Sequence, residues 1–134
     1  MSPLSQISRI RQRITRLTRK RQAVERRLLG RSELLKGTML EVQRTCGKPG
    51  CKCARGEKHA CYQLSASVEG KRHIWNVPRR YLAKVKPLAE NYRRFRRARA
   101  DWVRVNEQML KLIGELESAR MVSDFRDEPR RQKS

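Results

Sequence analysis

Acidic residues are scarce in this chain: 13 Asp and Glu stand against 34 Lys and Arg over 134 residues, a formal net charge of +21. Aromatics are scarcer still, with two Trp, three Tyr and two Phe. Most of them stand at positions that read as core, which leaves little platform for stacking bases. Leu, Ile, Val and Phe together make only about 21% of the sequence, near the composition at which highly charged chains stop folding unaided. A large single core is excluded. Each ordered residue costs about 1–2 kcal/mol of backbone entropy, so stability must come from a narrow helical seam, a metal and a partner. No apolar run approaches the roughly 20 residues that span a bilayer, and Met-Ser-Pro-Leu-Ser-Gln-Ile at the start carries no signal-peptide stretch. The expectation is a cytoplasmic protein with no membrane partner. Internal repeats, a Gly-rich phosphate loop and any pairing of nucleophile with base are also missing, so the chain does not read as an enzyme.

What is abundant is positive charge, unevenly spread. Residues 1–31 carry +9, 32–78 carry +4, 79–104 carry +8, 105–128 carry −3 and 129–134 carry +3. Arginine outnumbers lysine 24 to 10, and the guanidinium fork is the better bidentate partner for phosphate oxygens.

The hydrophobic spacing predicts an α+β architecture. Ile7, Ile10, Ile14, Leu17, Val24 and Leu28 keep alternating three- and four-residue steps, with Arg21 in the missing place, which is a heptad stripe on a basic N-terminal helix over 1–31. Gly30 reads as its C-cap. The region 32–78 switches to a period of two. Leu40 and Val42 mark one strand, Tyr62, Leu64, Ala66 and Val68 alternate with Gln63, Ser65 and Ser67 on a second, and Lys71–Val77 returns as a third after a turn at Glu69-Gly70. A long helix over 79–122, expected to kink at Pro87, carries a second heptad stripe through Ala98, Trp102, Val105, Met109, Leu112, Leu116 and Ala119. The remainder, 123–134, reads as a flexible charged tail of one structural domain. Two long helices thus flank a small three-stranded antiparallel ribbon. The helices pair antiparallel with each other, or either stripe forms a dimeric coiled coil.

All four cysteines lie in the run Cys46-Gly-Lys-Pro-Gly-Cys51-Lys-Cys53-Ala-Arg-Gly-Glu-Lys-His59-Ala-Cys61. In a reducing compartment, closely spaced thiols are metal ligands rather than disulfides. Zinc takes four such ligands in a tetrahedron, and five candidates compete for the places. Gly47, Pro49, Gly50 and Gly56 let the loop bend around an ion. Glu57 is the only acid in the motif, and its spacing does not match a catalytic zinc site with its general base. The site therefore reads as structural. His73, on the third strand, reads as a strand residue rather than a ligand.

This run resembles a family of small, uncharacterised bacterial and archaeal basic proteins with the pattern Cys-Gly-x-x-Gly-Cys-x-Cys-x-x-Gly-x-x-His-Gly-Pro-Tyr. The resemblance is close from Cys46 to Tyr62 and looser as far as Asn91-Tyr92-Arg93-Arg94. It implies strands around a Cys3His zinc site with Cys46, Cys51, Cys53 and His59 as ligands, and no particular activity. Ala60-Cys61 departs from the pattern's Gly-Pro, which makes Cys61 the alternative fourth ligand.

Charge and metal together point to nucleic acid. The candidate phosphate contacts are Arg9, Arg13, Arg16, Arg19 and Lys20 on the first helix, Lys48, Lys52, Arg55 and Lys58 in the metal loop, and Arg79, Arg80, Arg93, Arg94, Arg96 and Arg97 on the last helix. The expected function is a zinc-stabilised accessory protein holding the backbone of DNA or RNA, by analogy a subunit of a mobile-element or ribonucleoprotein complex. The alternative is a coiled-coil interaction module that docks a protein partner, or a second copy, through its helical stripes.

Overall fold

The structure, a computed structural model, describes residues 2–44, 50, 56 and 58–126. Its elements run α1 (Pro3–Leu28), β1 (Thr38–Arg44), β2 (His59–Val68), β3 (Lys71–Val77) and α2 (Arg79–Arg120). The fold is α+β, two long helices flanking a three-stranded antiparallel sheet in the order β1-β2-β3. The chain divides into two compact units. One, the helical unit, joins Met1–Leu29 with Ala98–Ser134, and the other, the sheet unit, is Gly30–Arg97. The two share α2, whose C-terminal part belongs to the helical unit.

In the helical unit α1 starts where its chemistry dictates. Ser2 is the N-cap, its Oγ accepting from the Ser5 N–H at 3.2 Å, and Pro3 follows where a missing N–H costs nothing. At the other end Leu29 is the C-cap, its N–H donating to the Glu25 carbonyl at 2.9 Å. The helix thus ends one residue before the cap that the sequence predicts at Gly30. Arg26 and Arg27 sit in the last turn, where the helix dipole favours cations.

The two helices of this unit pair antiparallel. Arg13 meets Glu115, Arg21 meets Met109, Glu25 meets Trp102 and Arg27 meets Asp101, so position falls along α2 as it rises along α1. Between them lie Ile10, Val24, Ala98, Val105, Met109 and Leu112, all buried. Ile7, Ile14, Leu17 and Leu116 are half-buried along the same seam, while Trp102 stands at its exposed margin. Arg21 fills the gap in the α1 stripe. Its guanidinium reaches the Met109 sulfur at 3.6 Å, and its buried Nε lies 3.5 Å from Glu25, an ion pair outside hydrogen-bonding geometry.

In the sheet unit, β2 pairs with both neighbours, Arg44 standing opposite His59 at one end of β1 and Tyr62 opposite Val77 at one end of β3. Glu69 and Gly70 turn the chain with φ of 52° and 78°, the two left-handed positions of a two-residue hairpin. The strict alternation expected on β2 gives way in its middle, where Gln63 and Ser65 are buried together with Leu64 and Ala66. The reason is position: β2 is central, and its residues 62–65 have cross-strand neighbours on both sides. The buried polar groups are satisfied by β3. The Gln63 amide donates to Asn76 Oδ1 at 3.2 Å, and Arg72 Nε donates to Ser65 Oγ at 2.9 Å. Val68, expected on the inner face, is exposed at the hairpin end.

The segment before β1 docks on the first part of α2. The Leu35 N–H donates to the Leu88 carbonyl at 3.1 Å and the Asn91 amide to the Glu33 carbonyl at 3.2 Å. Gly37, with φ of 141°, presses close to Leu64. Pro87 lies inside α2. Beyond α2, Asp124 and Arg126 form a local turn, and residues 127–134 of the charged tail lie outside the described residues.

Candidate nucleic-acid interface and metal loop

The cysteine-rich segment, expected to hold zinc, joins β1 to β2, and Cys46, Cys51 and Cys53 lie outside the described residues, as do Lys48, Lys52 and Arg55. What the structure describes is its frame. The pairing of Arg44 with His59 brings the two ends of the segment side by side at one end of the sheet. Gly50 and Gly56 hold φ of 78° and 107°, a region open to glycine and strained for other residues. His59 is exposed at the start of β2. Cys61, a free and half-buried thiol, lies two residues on. A spacing of two places both on one face of the strand, roughly 7 Å apart along it. The strand thus offers imidazole and thiol to the same side of the loop's exit. Among the described residues no group of three or more His, Cys, Asp or Glu could by itself hold a metal.

The chain leaves β3 at this same end of the sheet, since Val77 stands opposite Tyr62. Arg79 and Arg80 open α2 there, and Lys58 precedes β2. All three are exposed, and the first turn of α2 holds no acid. Two cations at the positive end of a helix dipole raise the potential at that point, which an anion would relieve. The Arg80 guanidinium lies 4.9 Å from the Tyr81 ring.

On α1, Arg9, Arg13, Arg16, Lys20 and Arg27 follow one another at steps of four, three, four and seven. That spacing puts all five on one line beside the seam. Arg19, also predicted as a contact, falls on the opposite side of the helix from the seam. Every one of them is exposed. Arg13 is 3.7 Å from Glu115 and Arg27 is 3.0 Å from Asp101, whereas Arg9, Arg16 and Lys20 have no acidic partner among the described residues. An open groove of about 420 Å³ lies between this line and α2, with Arg13, Arg16, Gln108, Lys111 and one acid, Glu115, around it over a floor of Leu17 and Leu112. Lys111 and Gln108 are not among the contacts the sequence suggests. The heptad stripe held the signal, because both flank it on the side that faces the α1 line.

Asp101 is the main counter-charge in the unit. It accepts from Arg27 at 3.0 Å and from Arg104 at 2.6 Å, and these bonds, Arg27 first, hold its carboxyl below the ordinary aspartate range. Exposed pairs of this kind are screened by solvent and do little to neutralise the face they border.

Arg93, Arg94, Arg96 and Arg97, on α2 within the sheet unit, are all exposed and lack acidic partners among the described residues. The aromatic residues do not sit as expected. None is fully buried: Trp75, Tyr81, Trp102 and Phe125 are exposed, and Tyr62, Tyr92 and Phe95 are half-buried. A core this thin has no room to enclose a large ring. His73 stacks on Trp75 with ring centres 5.6 Å apart, so β3 carries one exposed aromatic pair.

Among the described residues no helix is long and apolar enough to cross a membrane. Compared with known proteins, residues 6–87 match the model of one family, described as a domain of unknown function (DUF6788). No curated protein and no solved structure matches the chain.

Proposed function

The chain belongs to the DUF6788 family, a domain of unknown function, and from that premise we propose that it is a zinc-stabilised accessory protein that binds DNA or RNA through the phosphate backbone. The observation that carries this reading is the line Arg9, Arg13, Arg16, Lys20 and Arg27 on α1, exposed beside the seam, with Arg9, Arg16 and Lys20 lacking acidic partners among the described residues. Such a line repels itself. Placing phosphates along it removes the repulsion and releases the counterions condensed on the nucleic acid, a gain that grows with each contact. The cations at the start of α2 and the Arg93–Arg97 cluster offer the same chemistry on the sheet unit.

Zinc enters this reading as a structural ion. Cys46, Cys51 and Cys53 would supply three thiolates and His59 the fourth ligand, with Cys61 on the same strand face as its substitute. The converging strand ends, the bent Gly50 and Gly56 and the shared face of His59 and Cys61 fit such a site. Fixing the loop would also restrict the cations it carries, Lys48, Lys52 and Arg55. The small basic proteins of mobile elements and ribonucleoproteins offer an analogous setting.

Fluorescence anisotropy with random-sequence duplex and single strands tests the reading. Replacing Arg9, Arg16 and Lys20 by alanine, or Arg93, Arg94, Arg96 and Arg97, should weaken binding to all sequences by similar factors and flatten the salt slope by up to about one unit per lost contact. Binding that neither set of substitutions alters would move the assignment to a protein-interaction module.

A further inference from the structure

The seam with α1 uses one side of α2 and leaves another apolar line open. Val103, Leu110 and Ile113 are 40%, 70% and 49% exposed. Together with Arg99, Asn106 and Glu117 they recur at steps of four, three, four, three and four, the spacing of a heptad seam. This line lies roughly 100° around the helix from Ala98, Val105 and Leu112, which face α1. Within the helical unit α2 therefore carries two stripes, one filled and one bare.

We propose that the bare stripe is a dimer interface, in which α2 of one copy lies antiparallel against α2 of a second. The argument is self-complementarity. A two-fold axis passing level with residue 108 sets Arg99 opposite the second copy's Glu117, Val103 opposite its Ile113 and Asn106 opposite its Leu110, and each pair occurs twice, as an isologous contact requires. A parallel arrangement would instead oppose Arg99 to Arg99 and Glu117 to Glu117. Charge thus selects both the orientation and the register. Asn106 is not stranded by this packing, because its amide already donates to the Trp102 carbonyl at 2.7 Å.

The contact has natural ends. The next places in the spacing, Arg96 and Arg120, would meet each other as like charges, so the interface runs from Arg99 to Glu117, about 27 Å of helix. One stripe of that length is small beside the roughly 1,200–2,000 Å² of stable complexes, and two copies of charge +21 repel. The dimer is consequently a reversible one. Salt, by screening that repulsion, strengthens it, the opposite sign from phosphate binding.

Sedimentation equilibrium of the full chain without nucleic acid, at low and at high salt, reads this directly. Wild type should show a monomer–dimer equilibrium that tightens with salt. Leu110→Asp, at a surface position that leaves the α1 seam intact, should weaken it by about tenfold or more, since it sets a charge among apolar groups. Arg99→Glu should weaken it too, and adding Glu117→Arg should restore it, a rescue that damage to the fold would not give. A wild type that stays monomeric at every concentration, a dimer untouched by Leu110→Asp, or a charge swap that fails to rescue would overturn the proposal. The readout is independent of nucleic-acid binding, so either idea can fail alone.

Discussion

The helical unit and the sheet unit hold themselves together in different ways. In the first, Ile10, Val24, Val105, Met109 and Leu112 are buried with Ala98 in one apolar seam. At about 1.5–3 kcal/mol for each large side chain, that seam supplies on the order of 10 kcal/mol before entropy is counted. In the second, the buried residues among those described are Gln63, Leu64, Ser65, Ala66 and Ala89, of which only Leu64 is large and apolar. The sheet is satisfied but weakly driven. We propose that a second source of stability acts on the sheet side and not on the helical side, and zinc bound at the end of β1 and β2 would supply it.

Removing the metal should split the two most sharply. Structural zinc can contribute on the order of 10 kcal/mol to a small site, so Cys53→Ser, or a strong chelator, should abolish amide-exchange protection across β1 and β2 while the C-terminal part of α2 stays protected. Equal loss in both units would erase the distinction, and a native preparation without zinc would remove its cause. His59→Ala and Cys61→Ala, compared for zinc content, identify the fourth ligand.

The converse experiment strikes the helical seam. Leu112, almost fully buried, should cost about 2–5 kcal/mol when replaced by alanine, read as faster exchange in α1 and the end of α2 with the sheet little changed. A smaller effect of the same kind belongs to the sheet. At Gly37 an added Cβ would lie 2.7 Å from Leu64 Cδ1 on a backbone with φ of 141°, so Gly37→Ala should destabilise the sheet unit by about 1–3 kcal/mol in denaturant titration.

The smallest difference is electrostatic. Asp101 has its carboxyl pushed below the ordinary aspartate value of 3.8 by Arg27 and Arg104 in the folded state. Its contribution is therefore present above that value and is lost as pH falls through the lower, folded one. The carboxyl is exposed and the loss modest. Unfolding curves in acid should show the helical unit of Asp101→Asn less sensitive to pH than wild type below about pH 4.

The helices were legible because one period governs each of them. The heptad stripe of α1, the strand bounds of β3 and the Glu69-Gly70 turn follow from spacing and turn chemistry alone. Burial on β2 was not legible, since alternation describes a sheet with one covered face, and only the pairing with both neighbours explains why Gln63 and Ser65 are inside. The aromatic positions misled for a related reason: apolar spacing marks which face a residue takes, while enclosure depends on how much material lies over it. The proposed metal ligands are named from the composition of donors alone, and the choice between His59 and Cys61 turns on geometry that a shared strand face leaves equal. The bare stripe of α2 was hidden by the stronger one beside it.

The central claim is that the protein's surplus charge exists to hold phosphates, and a salt titration of binding to random-sequence duplex DNA tests it most directly. If about six phosphates are engaged, the logarithm of affinity should fall against the logarithm of salt with a slope near roughly −5, and competing sequences should differ little. Absence of binding at low salt, or affinity that does not change with salt, would contradict it.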